Sequence, residues 1–256
     1  MTSLLEEYLV GGVFAFMLTF ARIGAAVTIM PGVGDSFTPA NIRLYIALGL
    51  SLTLAPLVAQ HIPNPVPPTS VLFTLIVMEF IVGLFFGTIA RIFMAALDTA
   101  GMIISTMSGL GNAQVFNPGS ATQGSLIGAL LSVTGMVIVF ATEMHHLLFL
   151  GIIGSYDLFP VGSIPDAGSM AELVTKAVSS SFVIGLQLSL PFILMSLMMY
   201  IGMGVLARLM PQIQVFMLAL PLQIMIAFAT LMFVFSAIML FWVTKFEEAM
   251  IFFFGG

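Results

Sequence analysis

Residues 69–97 read TSVLFTLIVMEFIVGLFFGTIARIFMAAL, an apolar run broken by only two charges, Glu79 and Arg91. A helix needs about 20 apolar residues to cross a bilayer, and this run exceeds that. It lacks the strict polar/apolar alternation of a half-exposed strand, so it predicts a membrane helix. The rest of the chain has the same character. Among 256 residues there are 6 Lys and Arg and 11 Asp and Glu, so 7% of the chain is charged, where a soluble domain carries roughly a quarter. No charge lies between Arg43 and Glu79, Asp98 and Glu143, Lys176 and Arg208, or Arg208 and Lys245.

Backbone polar groups in lipid must be satisfied within helices or closed barrels. The unbroken runs therefore predict an all-α membrane protein of about six long helices, near residues 8–30, 41–59, 69–97, 126–154, 170–209 and 212–244. Pro31-Gly32-Val33-Gly34-Asp35 ends the first, and the Pro-rich stretch from Pro63 to Pro68 separates the second from the third. The fifth is too long for one straight span, and Gly185, Pro191, Gly202 and Gly204 predict a bend or break within it. Six crossings would put Arg43, Arg91 and Arg208 on one side and Lys176 and Lys245 on the other, which favours an N-terminus outside the cytoplasm. No polar linker divides the chain, so it reads as a single membrane domain, 1–256.

Several function classes drop out. Without cysteine there is no disulfide framework or thiolate site. No basic cluster could hold nucleic acid. No Gly-x-x-x-x-Gly-Lys-Ser/Thr run cradles a nucleotide, and no nucleophile, base or metal constellation marks an enzyme. Glu143-Met144-His145-His146 holds ligand-type residues, but adjacent His side chains diverge on a helix and His61 is the only other histidine. The expectation is no cofactor and no metal.

Three features remain as candidates. Arg22, Glu79, Arg91 and Asp98 are charges inside apolar segments, expected to be buried against protein, with Arg22 and Glu79 paired to each other or to a partner. A proton or ion relay is the functional alternative for them. The neutral stretch 105–125 has too many breakers for a helix and too little charge for an ordinary solvated loop. It reads either as a re-entrant or surface loop, or as a loop inserted in a conduit. Lastly, Pro211 breaks one helix and the next starts at once with Gln212 and Gln214.

That junction, Arg208-Leu209-Met210-Pro211-Gln212 with Phe216 and then Leu220-Pro221, follows Ser155-Tyr156-Asp157-Leu158-Phe159-Pro160-Val161-Gly162 and Leu190-Pro191. In this order and spacing the chain resembles the FliR/SctT family of type III secretion export-gate proteins over essentially its whole length. The resemblance implies a non-enzymatic subunit that helps form and close the channel for flagellar protein export. It implies a FliP-like part, 1–170, joined to a FliQ-like helical hairpin, 171–256. It further implies FliP-like and FliQ-like partners, with FlhB-like and FlhA-like proteins beside them, unfolded export substrates, and the bacterial inner membrane within the flagellar basal body. The family's channel plug would fall on Met107, Gly109, Leu110, Asn112, Val115, Phe116, Asn117 and Pro118, and its helix junction on Arg208, Pro211, Gln212, Phe216 and Pro221. A virulence injectisome subunit and a small-solute secondary transporter stand as alternatives; the transporter would use broken helices and midplane polar residues such as Glu79 and Arg22.

Overall fold

The computed structural model describes residues 2–59, 67–111, 125–163, 165–210 and 215–254. Seven helices and no strand occur among them: α1 Thr2–Ile29, α2 Ala40–Val58, α3 Thr69–Met107, α4 Leu126–Ala141, α5 His145–Leu158, α6 Ala167–Leu209 and α7 Val215–Phe254. Helices α1, α2, α3, α6 and α7 are long and apolar enough to cross a membrane, and the broken α4/α5 pair could make a sixth span. The protein is an all-α membrane protein.

Three expectations about helix limits need correction. Helix α3 does not stop at 97 but runs to Met107. Asp98 and the Thr and Ser residues beyond it do not end the helix, because Thr99 and Thr106 fold their hydroxyls back onto the carbonyls of Ala95 and Met102. The predicted fourth helix is two helices. The chain turns at Thr142 to Met144, where Glu143 takes a left-handed conformation with φ 59°. Conversely, α6 is continuous for 43 residues through Pro191. One missing donor does not break so long a ladder, and Gly185 acts as a spacer: a Cβ there would lie 3.0 Å from the carbonyl oxygen of Ala96 and 3.1 Å from Thr99.

Backbone contacts divide the chain into two compact units that are not consecutive in sequence. The first comprises Met1–Ile92, Thr142–Ala177 and Glu247–Gly256. In it α1 packs along α2, and Phe14, Leu18 and Leu75 form a core covered by Leu72, Ile76 and Val161. Helix α3 crosses α1 closely: a Cβ on Gly83 would collide with the carbonyl oxygen of Arg22, and one on Gly87 would lie 2.7 Å from that of Ala26. The Gly-x-x-x-Gly spacing here serves a backbone crossing.

The second unit comprises Phe93–Ala141 and Val178–Phe246. Its centre is Trp242, whose indole N–H donates to the Phe93 carbonyl at 3.3 Å and whose ring lies 5.1 Å from that of Phe246. Gly135 makes room beside the indole ring, and a Cβ on Gly101 would fall 2.1 Å from the Gly128 Cα, whereas one on Gly128 would make only ordinary contacts with Ser125 and Asp98. Burial of these apolar faces at roughly 25 cal/mol per Å² is the general driving force inside each unit.

Candidate functional site

The first unit holds a buried charge clamp. Arg22 on α1 and Glu79 on α3 are only 1% and 2% exposed. Two parallel bonds join them: Arg22 Nε donates to Glu79 Oε2 at 2.6 Å and Nη2 to Oε1 at 2.9 Å. Two further N–H groups are also used. Nη1 donates to Ser155 Oγ at 3.0 Å, Nη2 to the Phe159 carbonyl at 2.8 Å, and the Tyr156 ring stacks 3.8 Å from the guanidinium carbon. Ser155 is oriented by its own hydroxyl, which donates to the Ile152 carbonyl. The Ser155-Tyr156…Phe159 run is therefore the receptor for an arginine, with a hydroxyl, a π face and a carbonyl freed at the end of α5. Planar, bidentate pairing with stacking suits Arg and not Lys. With four N–H donors and one face of the guanidinium engaged, the arrangement ties α1, α3 and α5 together.

A second charge cluster in the same unit was not singled out from the sequence. Asp35, in the turn after α1, accepts from the Gly32 N–H at 2.7 Å and pairs with Arg91 Nη1. Arg43 donates to the carbonyls of Asp35 and Thr38 at 3.0 Å each. A turn Asp eight residues before an Arg was the available signal. Arg91 is not buried, with its side chain 48% exposed, and Asp98 in the second unit is exposed as well. Both were expected to be enclosed. Each instead lies on the outward side of α3, Asp98 accepting a short bond from Ser132 Oγ.

The second unit contains the foot of the neutral loop. Met107 ends α3, and Gly109 has φ 80°, the left-handed turn that closes a helix with little steric cost in glycine. Gly111 N donates to the Ser105 carbonyl at 3.0 Å. The Ser105 and Ser125 hydroxyls meet at 2.7 Å, and Ser125 Oγ also donates to the Gly101 carbonyl at 2.8 Å. The buried Gln223, two residues past Pro221 in α7, donates from Nε2 to the Met107 carbonyl at 2.6 Å. The foot is thus fastened to α4 and α7. Met107, Gly109 and Leu110 belong to it, half-buried. Asn112, Val115, Phe116, Asn117 and Pro118 lie outside the described residues.

For the helix junction, Arg208 is exposed in the last turn of α6, Phe216 falls in the first turn of α7, and Pro221 lies exposed within α7. Pro211 and Gln212 lie outside the described residues. Among the described residues no three His, Cys, Asp or Glu converge as metal ligands. His146 Nδ1 stands 3.9 Å from Glu143 Oε2 at the α4/α5 break.

Long apolar helices, a charge clamp sealed inside one unit and a pinned loop foot in the other define a multi-span helical membrane protein. The chain belongs to the bacterial export proteins, family 1, whose family pattern matches residues 13–249. It is 38% identical over 237 residues to the flagellar biosynthetic protein FliR of Caulobacter vibrioides, covering 92% of this chain and 94% of that protein. It is 31% identical over 230 residues to FliR of Bacillus subtilis, 88% of this chain and 87% of that protein. The Yop proteins translocation protein T of Yersinia pestis is 29% identical over 215 residues, 83% of this chain and 82% of the other.

Proposed function

We propose that the chain is a non-enzymatic subunit of the membrane gate of a type III export apparatus, through which unfolded flagellar proteins pass. The observation that carries this reading is family membership over nearly the whole chain together with relatives named for flagellar biosynthesis and for protein translocation. The 38% identity to FliR of Caulobacter vibrioides, against 29% to the Yop proteins translocation protein T, supports the flagellar apparatus over the injectisome. Its partners are FliP-like and FliQ-like chains, with FlhB-like and FlhA-like proteins beside them, in the bacterial inner membrane within the flagellar basal body. Residues 1–170 act as the FliP-like part and 171–256 as the FliQ-like hairpin.

Within that gate the loop 107–119 closes the channel. A fastened foot supports this, because a plug must be held at its ends while its middle gives way. A small-solute transporter is disfavoured by the buried, bidentate pairing of Arg22 with Glu79, which fits a structural fastening better than an exchangeable site. Shortening 112–118, or replacing Leu110, Val115 and Phe116 by Gly, is expected to leave the apparatus assembled and the cell leaky, read as ion conductance or small-molecule entry. An assembled variant as tight as wild type would place the seal elsewhere and reduce the loop to a connector.

A further inference from the structure

We propose that the outward face of α4, together with the neighbouring turn of α3 at Asp98, is a docking groove for a helix from an unlike subunit that places one Lys or Arg against Asp98. The proposal rests on the reading of this chain as one subunit of a larger export apparatus. Helix α4 is apolar on two faces. Ile127, Leu131 and Val139 turn inward with Gly128 and Gly135. Leu126, Leu130, Val133, Val137 and Phe140 are exposed. Their spacing is four, three, four and three, the repeat of a seam that receives another helix along its length.

Apolar exposure alone would suit lipid equally well; Asp98 decides between the two. It is exposed on α3 and bonded to Ser132 Oγ of α4, one residue before Val133 in the seam. The close Gly101 to Gly128 contact draws the two backbones together, so that Asp98 sits against Gly128 at the edge of the stripe. Among the described residues no cation pairs with this carboxylate. A hydroxyl does not neutralise it, and where this stretch lies at membrane depth an acyl chain facing it would leave a carboxyl group in hydrocarbon. An apolar helix with one basic side chain satisfies both features at once: its 3–4 stripe fills the seam, and its cation makes a charge-assisted bond with Asp98. The charge also sets register, because a shift of one turn separates the pair.

The absence of cysteine from the chain makes the test clean. In cells producing the whole apparatus, Asp98→Lys is expected to cut co-purification of the other subunits at least tenfold while the chain still reaches the membrane, and Asp98→Glu to retain it. Suppressors of Asp98→Lys should convert a Lys or Arg of another subunit to Asp or Glu. A single Val133→Cys labelled with a maleimide-linked benzophenone, whose excited ketone inserts into a nearby C–H bond of any residue, should photo-cross-link to a protein of different mass. The groove is overturned if Asp98→Lys and Asp98→Asn complexes purify in wild-type amounts, or if Val133→Cys cross-links only to a second copy of this chain or to no protein. A wild-type chain that co-purifies with no unlike subunit would overturn the export reading and the groove together, a result separable from indifference at Asp98.

Discussion

Removing either member of the Arg22 and Glu79 pair leaves the other charge in a dry interior, and such breaks cost about 3–5 kcal/mol. Glu79→Ala should therefore lower the thermal midpoint of the detergent-solubilised protein sharply. The double variant Arg22→Met, Glu79→Leu should recover much of the loss, because two apolar side chains of similar size replace two desolvated ions. If the double variant is as unstable as the sum of the singles, the clamp contributes through more than its charges, and Tyr156 stacking and the Phe159 carbonyl become the terms to remove next. That Arg22 and Glu79 needed protein partners was legible from two charges in apolar runs. Their further partners were not, since Ser155 and Phe159 lie 133 and 137 residues from Arg22 and nothing local in the sequence links them.

At the scale of the helices, the start of α6 offers a pH test. Asp166 precedes the helix and accepts from the Ser169 hydroxyl at 2.6 Å, the Ser169 N–H at 2.9 Å and the Gly168 N–H at 3.4 Å. These bonds, that from the Ser169 side chain first, hold its carboxyl below the usual carboxylate range. A carboxylate lowered in the folded state stabilises the helix start above its unfolded pKa, and the benefit disappears as pH falls through the folded value. Asp166→Ala should thus speed amide exchange at Gly168 and Ser169 near neutral pH and match wild type in strong acid; equal exchange at neutral pH would remove the cap from consideration. The sequence disclosed where helices begin after Pro, but it misread two interior breakers. Thr142 to Met144 contains neither Pro nor Gly and turns anyway, whereas Pro191 and Gly185 sit inside a continuous helix because one is a single lost donor and the other a spacer. For the neutral loop, its lack of charge was visible, but the Gln223 bond to its foot depends on α7 and could not be read locally.

Across the whole molecule, length becomes the constraint. Helices α3, α6 and α7 have 39, 43 and 40 residues, so each is about 58–64 Å long at roughly 1.5 Å per residue. A bilayer core of about 30 Å covers only half of such a helix. Exposed apolar residues near the helix ends, such as Leu209 on α6 and Phe252 on α7, then fit cover by protein under the proposed gate reading. Expression without FliP-like and FliQ-like partners is therefore expected to yield a chain that is degraded or aggregates in mild detergent. A monodisperse, protease-resistant preparation of the chain by itself would contradict this.

The separation of the clamp's parts along the chain gives it a place in time. A ribosome adding about 5–20 residues per second delivers Glu79 roughly 3–11 s after Arg22, and Ser155 roughly 7–27 s after it. Over that interval the nascent first helix has its ion-pair partner before it has its hydroxyl, aromatic and carbonyl partners. Fastening of α5 onto the α1 and α3 crossing thus follows synthesis of both, and a nascent chain stalled before Ser155 has the residues for the salt bridge but not those for the lock.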